Sequence, residues 1–462
     1  MPKTILFWPD VYKEQGHWLP TLKWAEDLSK LGHTIKYMGI PDCEGVVDAY
    51  RDEGATSGKF PFEPIFQNIY PLGYTTESHT SPNERWRPDH IWAIAYSAMG
   101  ADLESLEDKL NKKLYEDAVS FRNTVADVKP DLLVSGYFTS LESLLIHKIY
   151  GVKVVVTTTY LRHPSEDPAM RAIQNLMAFS PTEFFKIVNL CRYSALKESA
   201  GGPVDLLQDP GIEMEDFVKD LESFDELIPC PREYEYSHYN PGENVHYVEP
   251  CILDRDLASS ASAAWADNLL QPENPEAGAQ YEKLIFVTAG SQVLDYEGKA
   301  RHLFHCMCEA MQAAEMKDYH LVLGVGTKLV NDHEWDEFRN MSNITFAGWV
   351  PQRAILSAPN LEFALIHGGL ATIKECVYNN KKFLILPLGK DQIDNALRLR
   401  KYGIDNTVPI EKIGPKILID AMMKLRTDRK TRQNLEKLSK AFQSIETESP
   451  GTQVLLKNLN QT

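Results

Sequence analysis

The sequence predicts an α/β protein built from two doubly wound parallel sheets in succession. Three observations carry that expectation. Short β-branched runs alternate with longer helical patterns through both halves of the chain, as βαβ units require. The length of 462 residues is too great for one ordinary core and suits two or three domains. Between the halves, residues 257–280 are rich in small residues, then in Pro and Glu, and read as a surface linker.

The predicted strands of the first half are 5–8, 34–38, 131–135 and 152–159; those of the second are 284–288, 321–323, 344–346, 364–366 and 383–386. This gives a Rossmann-like domain over 1–256, the linker 257–280, a second Rossmann-like domain over 281–442, and a helical tail over 443–462 that packs back on the first domain. Ligands of open α/β sheets bind beyond the carboxyl ends of the strands, so informative residues should follow strands directly.

Composition excludes several classes. With 48 Lys and Arg against 65 Asp and Glu the formal net charge is −17, which repels nucleic acid and anionic membranes. The basic cluster at 426–432 reads as one solvated face of a late helix. No stretch approaches the roughly 18 apolar residues that span a bilayer, and the amino-terminal run lacks the features of a secretory signal. The seven cysteines are scattered without a CxxC pair. A reduced, cytoplasmic chain with no cysteine metal site is expected.

The strand at 364–366 runs into His367-Gly368-Gly369-Leu370-Ala371-Thr372-Ile373-Lys374-Glu375. Paired glycines permit a sharp turn and a close backbone approach. A helix beginning at about Leu370 aims free N–H groups and its positive dipole end at that spot, which suits a diphosphate. His367 and Thr372 add donors, and Glu375, one turn in, can hold a pair of ribose hydroxyls. A plain strand-to-helix turn would look similar, but the flanks are specific: Gly348-Trp349-Val350-Pro351-Gln352 upstream and Asp391-Gln392-Ile393-Asp394-Asn395-Ala396 downstream.

Together these residues resemble the donor-binding signature of the family-1 UDP-glycosyltransferases, in its plant form W-x-P-Q, H-C-G-W-N-S-x-x-E and D-Q. The resemblance implies the GT-B fold, two facing Rossmann-like domains with an interdomain cleft. It assigns the first domain to the acceptor and the second to the UDP-sugar. It implies that Trp349 stacks on uracil, Gln352 bonds its edge, His367, Gly369 and Thr372 hold the phosphates, and Glu375 holds the ribose. Asp391 and Gln392 would reach the sugar hydroxyls, the terminal Gln leaning towards glucose. Gly290 and Ser291, directly after the strand at 284–288, resemble the Gly-Ser loop of the family and would form a second phosphate element. Leu370 and Ala371 depart from the Trp-Asn pair, which removes a polar contact to the donor.

At the amino terminus, Gly16-His17-Trp18-Leu19-Pro20 follows the first strand and resembles the G-H-x-x-P element in which His is the catalytic base. A His at a helix start is kept neutral by the positive dipole end, by about 0.3–1 kcal/mol, and can accept a proton near neutral pH. In many relatives an Asp after the strand that begins K-P-D orients this His. Here Gly136 stands there; Asp131 lies at the wrong end of the strand, and Glu142 falls within a following helix. Another carboxylate fills in, the acceptor is acidic, or the protein is slow.

The acceptor pocket is expected in the first half, with Trp18, Trp92, Tyr96, Tyr137 and Phe138 as candidates for a small hydrophobic acceptor. Asp254-Arg255-Asp256, a D-x-D, is discounted as a chance match at the linker edge. Leu329 stands where a dinucleotide fingerprint following Gly324 needs its last glycine, which argues against nicotinamide or flavin. The expected activity is therefore inverting transfer of a hexose from a UDP-sugar, with no metal and no other cofactor. A UDP-sugar epimerase on the same scaffold and a UDP-sugar-binding protein with weak catalysis are the alternatives.

Overall fold

The computed structural model describes residues 1–13, 15–48, 60–68, 70–73, 112–161, 222–237, 239–252, 283–291 and 293–460. Two compact units divide the chain: unit 1 is Met1–Pro229, Asn240–Cys251 and Ser449–Thr462, and unit 2 is Cys230–Tyr239 and Ile252–Glu448. The segment 257–280 lies outside the described residues. Among the described residues no helix is long and apolar enough to cross a membrane.

Unit 1 is built on β1 (Thr4–Trp8), α1 (Gln15–Lys30), β2 (Thr34–Gly39), α2 (Glu44–Asp48), β3 (Phe62–Pro64), α3 (Lys112–Val128), β4 (Leu132–Gly136), α4 (Ser140–Tyr150), β5 (Lys153–Thr157), β6 (Asp225–Ile228) and β7 (Val245–Tyr247). The strands form one parallel sheet in the order β3-β2-β1-β4-β5-β6-β7. A parallel sheet is covered on both faces, so its central strands are mostly apolar; Ile5, Leu6, Phe7 and Trp8 are all buried. In register, Ile5 sits opposite Leu132 and Trp8 opposite Ser135. The strand order reverses between β1 and β4, so a crevice opens past Trp8 and Gly136.

Unit 2 holds β8 (Lys283–Thr288), α5 (Glu297–Ala310), β9 (Tyr319–Gly324), α6 (Asp336–Arg339), β10 (Ile344–Ala347), α7 (Gln352–Ser357), β11 (Leu361–Ile366), α8 (Leu370–Tyr378), β12 (Phe383–Ile385), α9 (Gln392–Lys401), α10 (Pro415–Thr427) and α11 (Arg429–Glu448). Its parallel sheet runs β10-β9-β8-β11-β12, with Thr288 opposite Ile366. The reversal here lies between β8 and β11, which puts Gly290 and His367 side by side.

Two boundaries differ from the sequence expectation. Residues 230–239, expected in the first domain, belong to unit 2, because a buried network ties them to α9. Arg398 donates through Nε to Glu235 Oε1 at 2.8 Å and pairs with Asp394 at 2.5 Å. The Tyr234 hydroxyl donates to the Asn395 carbonyl at 2.7 Å, and Lys401 donates to the Glu235 carbonyl. The second difference is the start of the tail. α11 runs on to Glu448, Ser449 adopts φ 47°, and a new helix, α12 (Pro450–Asn460), follows.

α12 is part of unit 1. Buried Glu249 accepts the Trp24 indole N–H at 2.6 Å and the Gly451 backbone N–H at 2.7 Å. Thr452 donates to Asp27 at 3.1 Å and Asn458 to Asp225 at 2.7 Å. A Cβ at residue 451 would lie 2.6 Å from Trp24 Nε1, so only glycine lets the helix begin this close to the indole.

Candidate active site

Unit 2 gathers a group of polar residues at the carboxyl ends of β8, β10, β11 and β12. His367 follows β11 and sits between two glycines. A Cβ at Gly290 would lie 2.5 Å from the imidazole Cε1, and one at Gly369 would lie 2.5 Å from its Nε2. Gly290 also takes φ 82°, a left-handed backbone that side chains resist. The residue as a whole is half-buried, with the backbone of Gly290 and Gly369 close against the ring. This burial, with the Lys390 charge second, lowers the His367 pKa to about 4. Its Nδ1 is buried without a hydrogen-bond partner, an arrangement that normally calls for a ligand, a water or an ion.

The amino terminus of α8 adjoins this ring. Gly369 is its N-cap, and no side chain caps the helix, so the first-turn N–H groups are available to an acceptor. Thr372, on the first turn, is buried. Ser291, in the turn after Gly290, is exposed.

The other end of the group forms a closed cluster. Gln352 at the start of α7 donates through Nε2 to Glu375 Oε2 at 2.5 Å and to Thr372 Oγ1 at 3.3 Å. Arg353 donates through Nε to Glu375 Oε1 at 3.0 Å. Glu375 is buried, and both its oxygens already hold protein donors. The role of Arg353 was not foreseen; its position beside Gln352 was the only signal. Trp349, three residues before Gln352, is 45% exposed, unlike buried Trp335.

Asp391 is the N-cap residue of α9 and accepts from Asn395 Nδ2 at 2.9 Å. Gln392 accepts from Leu388 N at 2.7 Å and Gly389 N at 3.0 Å through Oε1. Its oxygen thus shapes the loop before α9, and the amide NH₂ is the end it can offer to a sugar. Lys390, between these loops, takes φ 51° and reaches Asp295 at 3.2 Å.

In unit 1, His17 is the third residue of α1 and its side chain is 24% exposed. Its Nδ1 lies 2.5 Å from Asp10 Oδ2. Sequence reasoning missed Asp10. The available signal was its place two residues beyond β1, on the edge of the sheet that carries ligands. Asp131 is at the opposite end of β4, accepting from Lys3 Nζ at 3.0 Å and Thr4 N at 2.8 Å. The side chain of Glu142 lies outside the described residues.

The acceptor candidates divide. Trp18 is a correction: it is fully buried, stacked on Tyr37 with ring centroids 6.1 Å apart, and donates its indole N–H to the Tyr12 carbonyl at 2.7 Å. It is a core residue, because position 18 falls on the face of α1 turned to the sheet. Tyr137 is half-buried just past β4 and meets Tyr160 edge-on at 5.4 Å. Trp92, Tyr96, the Phe138 side chain and the 254–256 acidic pair lie outside the described residues.

Comparison with known proteins fits this geometry. The fold is that of the GT-B glycosyltransferases. Over 99% of both chains it is similar to the glycosyltransferase of kitacinnamycin, with TM-score 0.64 and 18% identity. It also resembles a UDP-glucose:anthocyanidin 3-O-glucosyltransferase in complex with UDP, over the full length of both, with TM-score 0.58 and 14% identity. Residues 337–448, which lie in unit 2, match the UDP-glucoronosyl and UDP-glucosyl transferase family. The UDP-glycosyltransferase UGT5 of Dactylopius coccus is 30% identical over 97 residues, 21% of this chain and 18% of its own length. The match thus spans less than a fifth of that relative.

Proposed function

We propose that the protein transfers a hexose, glucose by preference, from a UDP-sugar to a hydroxyl of a small hydrophobic acceptor, inverting the anomeric centre without a metal ion. The observation that carries this reading is the gathering of Gln352, Thr372, Glu375 and His367 beyond the carboxyl ends of β10 and β11, within the segment matched to the UDP-glucoronosyl and UDP-glucosyl transferase family. An exposed Trp349 suits stacking on uracil. The uncapped start of α8, His367 and the Gly290–Ser291 turn suit a diphosphate whose charge grows as it departs. His17 takes the acceptor proton while the acceptor oxygen bonds to the anomeric carbon and the carbon–diphosphate bond breaks.

The test is UDP release from UDP-glucose against a panel of phenols, macrolides and terpenoid alcohols, for wild type and His17→Ala. Acceptor-dependent release that disappears in the variant supports the reading. Turnover of UDP-glucose without any acceptor would replace it with an epimerase, and donor binding with no product from any acceptor would replace it with a binding protein.

A further inference from the structure

We propose that Asp10 is the positioning carboxylate of the His17 base, supplied from the β1–α1 loop because the place after β4 is closed to any side chain. This rests on the reading of His17 given above. Asp10 is 1% exposed. Its Oδ1 accepts the Val11 backbone N–H at 2.6 Å, and its Oδ2 meets His17 Nδ1 at 2.5 Å. One oxygen is thus fixed by the loop that carries it, and the other is aimed at the imidazole. A carboxylate only accepts, so the contact selects the tautomer with the proton on Nδ1 and leaves the lone pair on Nε2.

Gly136 supplies the second, independent observation. A Cβ there would overlap the Pro9 carbonyl oxygen and crowd the carbon behind it. The Pro9–Asp10 segment therefore fills the volume in which a side chain at 136 would begin. The chain can hold a carboxylate at 136 or this loop, and it holds the loop.

In the transfer step the acceptor proton passes to His17 Nε2 as the new oxygen–carbon bond forms. The electron pair of the broken carbon–diphosphate bond leaves with UDP. The Asp10 carboxylate balances the resulting imidazolium, as the Asp of a hydrolase triad does. Cys43 packs beside the same loop, its Sγ 3.8 Å from the Val11 carbonyl. Its thiol is pushed up by burial and next by the Asp10 charge, with Asp42 and Lys13 as the other charges acting on it.

Asp10→Asn preserves shape and removes charge, so it separates a positioning role from a structural one. With UDP-glucose as donor and 4-nitrophenol or benzyl alcohol as acceptor, kcat should fall about 100-fold or more, with the donor KM unchanged. The loss should be greater for benzyl alcohol, whose hydroxyl is the weaker acid, and the acid limb of the kcat/KM profile should move to lower pH. Long-range ¹H–¹⁵N spectra of the imidazole should show the Nδ1–H tautomer in wild type and its loss in Asp10→Ala. Asp10→Asn/Gly136→Asp should not recover activity. If His17→Ala is inactive while Asp10→Asn stays within about threefold of wild type with the His17 tautomer unchanged in Asp10→Ala, the proposal is overturned and the base assignment stands. Transfer that survives His17→Ala overturns the base assignment itself, and the spectra then decide the Asp10 contact separately.

Discussion

Gln352 donates its side-chain amide to Glu375 at 2.5 Å, so the residues expected to meet the base and the ribose of a uridine are bonded to each other. A ribose diol reaching Glu375 must share or replace the donors of Gln352 and Arg353. Hydrogen bonds to a charged group contribute about 1.5–3 kcal/mol. Titration calorimetry with UDP and 2′-deoxy-UDP should show a clear preference for UDP in wild type. Glu375→Ala should weaken UDP binding by roughly 10-fold or more and erase the preference. An unchanged preference would remove Glu375 from ribose recognition.

Trp349 is the residue proposed to stack on uracil. Base–aromatic stacking is worth about 1–3 kcal/mol, so Trp349→Ala should weaken UDP binding by that amount and Trp349→Phe by less. Because the indole is 45% exposed, the melting temperature should hardly change in either variant. Loss of thermal stability with unaltered UDP affinity would make Trp349 a packing residue.

His367 predicts a pH dependence with a definite sign. Its pKa, lowered to about 4 by burial, lies below the ordinary imidazole value of 6.5, and buried His320 behaves alike. Between these values the unfolded chain binds more protons than the folded one, so ligand-free stability should fall as pH drops from 6.5 towards 4. A diphosphate beside His367 favours imidazolium. UDP-glucose binding should therefore take up a proton and tighten as pH falls from 7 to 5. Calorimetry in buffers of different ionisation enthalpy checks this, and His367→Asn should abolish the uptake.

The buried pair of Glu235 and Arg398, both fully enclosed, predicts an asymmetry. Removing Glu235 takes away one of the two carboxylates, Glu235 and Asp394, that hold buried Arg398, and breaking a buried pair costs up to about 3–5 kcal/mol. Glu235→Ala should thus lower the melting temperature sharply, whereas Glu235→Leu with Arg398→Met should recover much of the loss. Equal destabilisation by both would show that the pair is worth more than its desolvation cost.

The central strands were legible because parallel strands buried on both faces are unbroken apolar runs; β1, β4, β8 and β11 all announce themselves in this way. β3, β6 and β7 did not. They are Phe-Glu-Pro, Asp-Glu-Leu-Ile and Val-His-Tyr, short and polar, formed at sheet margins where tertiary pairing overrides propensity. That Gln352, Thr372 and Glu375 would come together was legible from their motif spacing, and their side chains do meet. Asp10 was not, because a loop carboxylate has no periodicity to mark it. The placement of 230–239 was hidden likewise: Glu233-Tyr234-Glu235-Tyr236 reads as solvated surface until Arg398 is brought to it.

The clasp of Trp24, Glu249 and Gly451 has a bearing on biosynthesis. Trp24 and Glu249 of unit 1 precede residues 252–448 of unit 2 in the chain, yet α12, which also belongs to unit 1, follows them. The indole of Trp24 and the carboxyl of Glu249 therefore wait, without Gly451, through the synthesis of residues 252–448. Unit 1 thus closes only after residues 252–448 have been made, and a truncation just before Ser449 would release a chain in which that unit had never closed.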